Sequence, residues 1–454
     1  MSKTARTPVV AIVGRTNVGK SSLYNTFLGK KDAITATEEG TTRDSLMSKL
    51  TWNDSEFWIV DTAGMKTPED DFELSIQDQI SQAVENADLI LFVVEADVPF
   101  NNEDRKLSEK LLKSNKPVFL VINKVDKVKN ISEIDHSKHT GIKDSFLIST
   151  TQKRGINNLL DSITANLPVI HPKKVNLDKI TISLIGRPNV GKSNLFNSLL
   201  KKQQAIVSPR AGTTRDINRN EIKFNSKSIQ ILDTAGIRRS GKIEVGIEKF
   251  SVLRTLSAIE ESDICLLLLD VNQIDVQLDQ KIAGLIKDSS KGIIIVVTKW
   301  DIAEDKDPYL RDKIAAIIKR NFDFIPFAPL IFTSSITGQN ITKIFEIVLD
   351  VYKQRNKKVL TRKLNDWLSM VTARHAPAGL KNRTPKLNYM VQETDNDKPA
   401  FKIFGSNTKY IHWSYRRYLE NKLRSEFGFE GNPIELWFIE KHVAHKYRQR
   451  PKKL

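Results

Sequence analysis

The stretch GRTNVGKS, from Gly14 to Ser21, recurs almost unchanged as GRPNVGKS, from Gly186 to Ser193. Each copy follows a short apolar run and precedes a segment with helical spacing, which is the context of a phosphate-binding loop. The glycines allow the backbone to turn tightly, so that its N–H groups face a phosphate at the positive end of the helix. Two such loops predict two nucleoside triphosphate sites in one chain.

Within each loop, a lysine is expected to reach the terminal phosphates and a serine is expected to bind magnesium. The lysines are Lys20 and Lys192. Every residue of both loops is predicted to contact the nucleotide: Gly14, Arg15, Thr16, Asn17, Val18, Gly19, Lys20 and Ser21, and Gly186, Arg187, Pro188, Asn189, Val190, Gly191, Lys192 and Ser193.

Two tetrapeptides, NKVD ending at Asp126 and TKWD ending at Asp301, each follow an apolar strand and predict the base. An aspartate there can accept hydrogen bonds from the ring N–H and the amino group of guanine. Adenine offers no such pair of donors, so GTP is favoured over ATP. The predicted base contacts are Asn123, Lys124, Val125 and Asp126 with Ser149, and Thr298, Lys299, Trp300 and Asp301 with Ser334.

The motif DTAG begins at Asp61 and again at Asp233. Its aspartate is expected to hold magnesium through water, and its glycine N–H is expected to sense the γ-phosphate. The predicted contacts here are Asp61, Thr62, Ala63, Gly64 and Met65, and Asp233, Thr234, Ala235, Gly236 and Ile237. The motif GTTRD adds Thr42 and Thr214, so the predicted metal ligands are Ser21, Thr42, Asp61, Ser193, Thr214 and Asp233. Arg43 and Arg215 follow these threonines, and the sequence does not decide between contact with phosphate, contact with RNA and exposure to solvent.

The repeat is domain-sized, because Lys20 recurs as Lys192, 172 positions later, and Asp126 recurs as Asp301, 175 positions later. In both units short β-branched runs alternate with amphipathic stretches. This pattern predicts an α/β fold with a mostly parallel sheet covered by helices on both faces. A length of 454 residues is consistent with about three domains.

The composition favours a cytoplasmic protein without a transition-metal site. No apolar run approaches the roughly 20 residues that span a bilayer. The single cysteine, Cys265, excludes an intrachain disulfide, and its apolar neighbours favour a packed thiol over a nucleophile. The seven histidines form no cluster with the spacing of metal ligands.

The net charge of +17 lies mostly at the end of the chain. Residues 351–454 hold 23 Lys and Arg against 9 Asp and Glu, a net +14. This asymmetry favours a nucleic-acid partner. The alternative is a lysine-rich proteome in which the charge only aids solubility.

Together these motifs resemble the Der (EngA) family of bacterial GTPases, which have two tandem GTP-binding domains and a C-terminal KH-like domain. The most telling stretches are ILDTAGIRRSGKIEVGIEKFSVLRTLSAIEESD, which starts at Ile231, and SYRRYLENKLRSEFGFEGNPIEL, which starts at Ser414. The resemblance implies GTPase domains over 1–167 and 180–351, a linker over 168–179, a KH-like basic domain over 352–441 and a basic tail over 442–454. It also implies GTP hydrolysis with magnesium, assembly of the large ribosomal subunit with rRNA as partner, and a monomer when free.

Three positions depart from the family pattern: Thr16 and Glu39 replace prolines, and Thr298 replaces the asparagine of the guanine motif. That asparagine normally ties the base loop to the phosphate loop. A threonine hydroxyl can do part of this, so the second site is expected to bind GTP more loosely.

The glutamine that positions the attacking water in many GTPases is replaced by Met65 and Ile237. The resemblance implies that Asn17 and Asn189 instead help to hold potassium against the phosphates; the alternative is that they only brace the loop. The predicted catalytic residues are Asn17, Lys20, Thr42, Gly64, Asn189, Lys192, Thr214 and Gly236.

The basic region lacks a clear GxxG loop of the kind with which KH domains grip a nucleic-acid backbone. Trp413, Tyr415 and Tyr418 could stack bases, but their spacing favours a buried helix face. Phosphates are expected to bind the tail and four basic side chains: Arg416, Arg417, Lys422 and Arg424. Besides an assembly GTPase, we consider an adaptor in which one domain binds GTP without turnover.

Overall fold

The computed structural model describes residues 3–4, 7–29, 34–35, 47–53, 55–61, 84, 86–128, 140–170, 179–201, 219–232, 252–303, 309–377, 379, 383–393 and 398–440. These residues form two large sheets, each with helices packed on it, and a smaller sheet at the C-terminal end. The predicted α/β fold is therefore confirmed.

The first unit is built around a seven-stranded sheet in the order β3-β4-β5-β2-β6-β7-β8. Its strands, with a separate short β1, are β1 (Lys3–Thr4), β2 (Val9–Val13), β3 (Ile34–Thr35), β4 (Met47–Trp52), β5 (Ser55–Asp61), β6 (Leu89–Glu95), β7 (Val118–Asn123) and β8 (Ser145–Leu147). Its described helices are α1 (Lys20–Leu28), α2 (Asn102–Leu112) and α3 (Ile156–Asn166). Strands β5, β2, β6, β7 and β8 run parallel, whereas β4 is antiparallel to both of its neighbours.

The second unit repeats this topology in a six-stranded sheet of order β11-β12-β10-β13-β14-β15. Strand β9 (Val169–Ile170) lies in the predicted linker and pairs in parallel with β1; the sheet strands are β10 (Lys179–Ile185), β11 (Arg219–Phe224), β12 (Lys227–Leu232), β13 (Ile264–Asp270), β14 (Gly292–Thr298) and β15 (Leu330–Phe332). The helices are α4 (Lys192–Lys201), α5 (Val252–Glu261), α6 (Gln277–Asp288), α7 (Trp300–Ala303), α8 (Leu310–Asn321) and α9 (Ile341–Arg355).

The third unit is a three-stranded sheet with two long helices. Its elements are α10 (Thr361–Arg374), β16 (Lys386–Gln392), β17 (Ala400–Ser406), α11 (Trp413–Phe427) and β18 (Glu435–Glu440). Strand β17 is antiparallel to β16 and parallel to β18. Its buried core includes Trp367, Phe401 and Tyr415.

Alternation along the central strands gives each sheet two apolar faces. In β2, Val9, Ala11 and Val13 face one buried cluster, and Val10 and Ile12 face another. The first of these clusters continues into the second unit and includes Cys265. Burial raises the pKa of the Cys265 thiol, which fits a packing role rather than a nucleophile. Among the helices that the structure describes, none is long and apolar enough to cross a bilayer.

The third unit is joined to the second by backbone hydrogen bonds. The Gly431 N–H donates to the Phe327 carbonyl, and the Ile293 N–H donates to the Gly431 carbonyl, both over 2.8 Å. The Arg424 guanidinium lies 4.0 Å from the Phe327 ring centroid and also binds Glu420. Arg424 therefore supports domain packing, which corrects its predicted role as a phosphate ligand.

Candidate nucleotide-binding sites

Each phosphate-binding loop lies where the strand order of its sheet reverses. Strand β2 lies between β5 and β6, and β10 lies between β12 and β13. Successive connections on the two sides of β2, and likewise of β10, therefore leave toward opposite faces of the sheet. A crevice opens between them at the strand ends. Both loops begin at this edge of the sheet and lead directly into α1 and α4.

Close packing explains why the loops need glycine. Gly14 has φ +154°, and a Cβ there would lie 2.4 Å from the Val93 carbonyl oxygen. Gly19 has φ +94°, and a Cβ there would lie 2.3 Å from the Asn123 amide nitrogen. Any larger residue would therefore push the loop away from the strand or the base motif.

Both loop lysines point into their own loops. Lys20 Nζ donates to the Arg15 carbonyl over 2.6 Å, and Lys192 Nζ donates to the Gly186 and Arg187 carbonyls over 3.0 and 2.5 Å. Burial lowers the pKa of Lys20, with the Asp61 carboxylate opposing this shift. Each ammonium is held where a phosphate oxygen could replace a carbonyl as its acceptor.

Two predicted magnesium ligands meet in the first site. Ser21 Oγ donates to Asp61 Oδ2 over 2.6 Å, beside Lys20, and Asp61 is buried. Paired hydroxyl and carboxylate oxygens are the donors that Mg²⁺ prefers, so these residues fit the ion. The remaining DTAG and GTTRD positions lie outside the described residues and stay predictions: Thr42, Thr62, Ala63, Gly64, Met65, Thr214, Asp233, Thr234, Ala235, Gly236 and Ile237.

The base motifs are tied to the phosphate loops by equivalent contacts. Buried Asn123 donates from Nδ2 to the Val18 carbonyl over 3.1 Å and accepts from the Thr150 N–H at Oδ1. Buried Thr298 donates from Oγ1 to the Val190 carbonyl over 2.7 Å. The hydroxyl thus makes the tie to the phosphate loop, whereas looser GTP binding at the second site stays a prediction that nucleotide titration can check.

The two aspartates that are predicted to read the base each accept a hydrogen bond from the predicted serine. Asp301 Oδ1 accepts from Ser334 Oγ over 2.6 Å. A hydrogen bond from Ser149 lowers the pKa of Asp126, so this carboxyl is ionised at neutral pH. Lys124 Nζ reaches back to the Asn17 carbonyl over 2.8 Å, and Lys299 pairs with Asp270. The structure thus brings the base motif, the serine loop and the phosphate loop together in the first site and supports the same arrangement in the second.

In each unit an arginine of the phosphate loop pairs with an aspartate on a helix, a contact that the sequence motifs did not predict. We call this pair the clamp. Arg187 Nε donates to both oxygens of Asp279 on α6 over 3.0 and 2.9 Å, and its other nitrogens donate to Gln273. In the first unit Arg15 Nε lies 3.3 Å from Asp104 Oδ1 on α2. Asp104 and Asp279 are separated by 175 positions, the same offset as Asp126 and Asp301. That shared offset is the signal that could have found them.

The Asp279 clamp predicts a pH dependence of nucleotide release from the second site. Burial raises the pKa of Asp279 from 3.8 to about 6, with Arg187 opposing the shift. The carboxylate that holds Arg187 therefore predominates above pH 6 and is lost as the pH falls through 6. Because charge-assisted hydrogen bonds contribute about 1.5–3 kcal/mol, we expect release of a fluorescent GDP to become roughly tenfold faster between pH 7.5 and 5.5.

Stopped-flow measurements on an Asp126→Asn background, in which the first site is expected to lose its affinity for guanine, would isolate the second site. Asp279→Asn should release GDP quickly at every pH, whereas Asp104→Asn should leave the second-site pH profile unchanged. If the rate of GDP release from Asp279→Asn depended on pH as it does in the wild type, Asp279 would not control release.

Comparison with protein families places the same segments in known groups. Residues 9–124 and 181–299 match a family described as 50S ribosome-binding GTPase. Residues 358–438 match the KH-domain-like C-terminal domain of EngA bacterial GTPase enzymes.

Curated relatives match along almost the whole chain. A GTPase Der from Gemmatimonas aurantiaca is 38% identical over 432 residues, which cover 94% of this chain and 98% of the relative. A GTPase Der from Chloroflexus aggregans is 38% identical over 442 residues, covering 95% and 97%. Among solved structures, Aquifex aeolicus Era bound to GDP and aluminium fluoride matches with a TM-score of 0.30 and 19% identity, over 72% of this chain and 92% of Era.

Proposed function

The chain belongs to the GTPase Der family, whose members hydrolyse GTP, and from this membership we propose that it acts in the assembly of the large ribosomal subunit. The observation that carries this proposal is that a 50S ribosome-binding GTPase family matches both nucleotide-binding units of the chain. The basic KH-like domain that follows supplies the expected surface for rRNA. We further propose that the free protein is a monomer in the cytoplasm, where ribosomal precursors are its partner.

Hydrolysis uses groups that the two loops already orient. Lys20 and Lys192 exchange loop carbonyls for phosphate oxygens, and Asp126 and Asp301 select guanine. Ser21 and Asp61 would hold a magnesium ion in the first site, and that ion would offset negative charge on the bound nucleotide. Thr42 and Thr214, with Gly64 and Gly236, are proposed to sense the γ-phosphate and so to set the conformation of the segments around them.

A buried contact connects the second unit to the first. Glu260 on α5 accepts from Trp58 Nε1 over 2.8 Å and from Thr7 Oγ1 over 3.1 Å. Helix α5 follows the second DTAG segment along the chain, and Trp58 precedes Asp61 by three residues. A shift of α5 on hydrolysis would therefore move the strand that ends at the first-site magnesium ligand. We propose that this contact lets the nucleotide in one site influence the other.

Sedimentation with purified ribosomal subunits tests the proposed function. The full-length protein would be centrifuged with small or large subunits in the presence of GTP, a non-hydrolysable GTP analogue or GDP. Co-sedimentation with the large subunit that differs between the nucleotides is expected. Equal binding in all three nucleotide states would contradict the switch, and preference for the small subunit would contradict the assigned partner.

Potassium is proposed to support hydrolysis through Asn17 and Asn189. Both side chains are exposed, and both residues have positive φ, 65° and 63°. A cation beside the phosphates would offset negative charge that develops between them, in place of the absent glutamine. We expect GTP turnover to be on the order of a hundredfold faster in potassium than in sodium.

Glycine is the cleanest substitution for this test, because it tolerates the positive φ that alanine would strain. Asn17→Gly and Asn189→Gly should bind GDP normally and lose the difference between potassium and sodium. Equal rates of the wild-type protein in the two salts would rule out the cation role.

A further inference from the structure

The aromatic side chains of α11 have different environments. Tyr415 is buried, and its hydroxyl donates to the His375 carbonyl over 2.8 Å. Tyr418 is half-buried against His375, with ring centroids 5.0 Å apart. Trp413, in contrast, is 45% exposed although it is the largest of the three. The expectation that this helix uses its aromatics for the core therefore holds for Tyr415 and fails for Trp413.

The Trp413 ring is held in place by its neighbours. The Arg417 guanidinium, one helical turn on, lies over the ring at 5.8 Å from the centroid. The His412 ring lies 5.4 Å away, and His412 itself caps the helix by accepting the Ser414 N–H at Nδ1. An indole braced in this way loses little conformational entropy when a planar group stacks on it.

The charged residues nearest to Trp413 along the chain are basic. Lys409 lies four residues before it and is exposed, as are Arg416 and Arg417 after it. The first acidic residue of α11 is Glu420, and it is paired with Arg424 over 2.8 Å. This surface therefore complements an anionic partner that also carries planar rings, which is the chemistry of unpaired RNA.

We propose that Trp413 stacks an unpaired RNA base, while Lys409 and Arg417 hold the adjoining phosphates. This inference rests on the proposed function, since it locates the rRNA contact of the KH-like domain on a helix rather than on a GxxG loop. Stacking on an aromatic ring tolerates any base, so the site reads the single-stranded state of the RNA rather than its sequence.

Fluorescence anisotropy with the full-length protein tests the site. The probes would be a labelled twelve-nucleotide oligoadenylate and a labelled RNA duplex of the same length. Trp413→Ala is expected to weaken oligoadenylate binding by about tenfold, because one base loses its stacking partner. Trp413→Phe should retain most of the affinity. Tyr389→Ala, which removes a 46% exposed aromatic elsewhere in the same domain, should match the wild type.

The salt dependence of RNA affinity distinguishes base stacking from contacts with phosphate. Trp413→Ala should leave the slope of log affinity against log salt unchanged, whereas Arg417→Ala should reduce it by about one. Duplex binding should be indifferent to Trp413→Ala. Intrinsic GTP turnover of each variant should equal that of the wild type.

Four results would overturn the proposal. The first two are that the wild type does not bind oligoadenylate measurably, or that Trp413→Ala binds it as tightly as the wild type does. The other two are that Trp413→Ala loses as much affinity for the duplex as for oligoadenylate, or that it no longer sediments with subunits although its affinity for oligoadenylate is unchanged. The last would assign Trp413 to a ribosomal protein. If the wild type sediments with large subunits while Trp413→Ala binds RNA normally, the inference fails and the proposed function stands. If the wild type never sediments with subunits, the proposed function itself fails.

Discussion

Replacing Lys192 by alanine is expected to lower GTP turnover at the second site by about a hundredfold to a thousandfold. The ammonium lies within 3.0 Å of two loop carbonyls, and we propose that phosphate charge develops beside it during hydrolysis. Preorganised positive groups at such positions contribute about 3–4 kcal/mol to catalysis. Lys20→Ala should have the same effect at the first site, where Lys20 Nζ donates to the Arg15 carbonyl.

Single-turnover hydrolysis by the two single variants and the double variant would measure this effect. Lys201→Ala is the matched control, because Lys201 is exposed at the end of α4, the helix that Lys192 begins. Two active sites predict that each single variant keeps the turnover of the other site and that the double variant loses both. If Lys20→Ala or Lys192→Ala left total turnover unchanged, the corresponding domain would be a binding module, as in the adaptor hypothesis.

Changing Asp301 to asparagine should convert the second site from guanine to xanthine. The Asp301 carboxylate can accept hydrogen bonds from both the ring N–H and the amino group of guanine. The NH2 group of an asparagine would instead face the amino group of guanine, and two donors repel each other. Xanthine carries an oxygen in place of the amino group, so it accepts where guanine donates. A site whose buried polar groups are left unpaired rejects a base strongly, and we expect roughly a thousandfold loss of GTP affinity.

The structure makes this substitution conservative for the loop. Ser334 Oγ donates to Asp301 Oδ1 over 2.6 Å, and an asparagine oxygen can accept the same bond. Titration with fluorescent GDP and XDP would measure the exchange, with Asp126→Asn as the counterpart at the first site. An Asp301→Asn protein that binds GDP as tightly as the wild type would show that Asp301 does not read the base.

The phosphate loops and base motifs were predictable because their chemistry is local. A glycine-rich turn between a strand and a helix has few alternatives, and the structure shows why at Gly14 and Gly19, where a Cβ would collide with neighbouring atoms. Thr298 was predicted to replace part of the asparagine tie, and its hydroxyl does donate to the Val190 carbonyl. This contact joins two loops that the parallel sheet brings to the same edge, so the strand pattern already predicted that they would meet.

Other features were not predictable in this way. The Arg187 clamp depends on Asp279, which lies 92 positions away on α6 and carries no motif of its own. Arg424 was read as a phosphate ligand, yet it packs on Phe327 of another domain. A basic side chain on an amphipathic helix is compatible with either role until the neighbouring domain is in place.

By itself the sequence determined the two nucleotide sites, their preference for guanine and the repeated α/β architecture, because backbone conformation and hydrogen-bond chemistry within short motifs leave little choice. The tertiary structure alone decided which charged groups are buried between elements and which aromatic ring stays outside. Glu260 accepts hydrogen bonds from Trp58 and Thr7 of another domain. Tyr415 is buried in a core, whereas Trp413 remains exposed. Burial is a property of the whole packed chain, so helical spacing alone could not separate two aromatic residues at the start of the same helix.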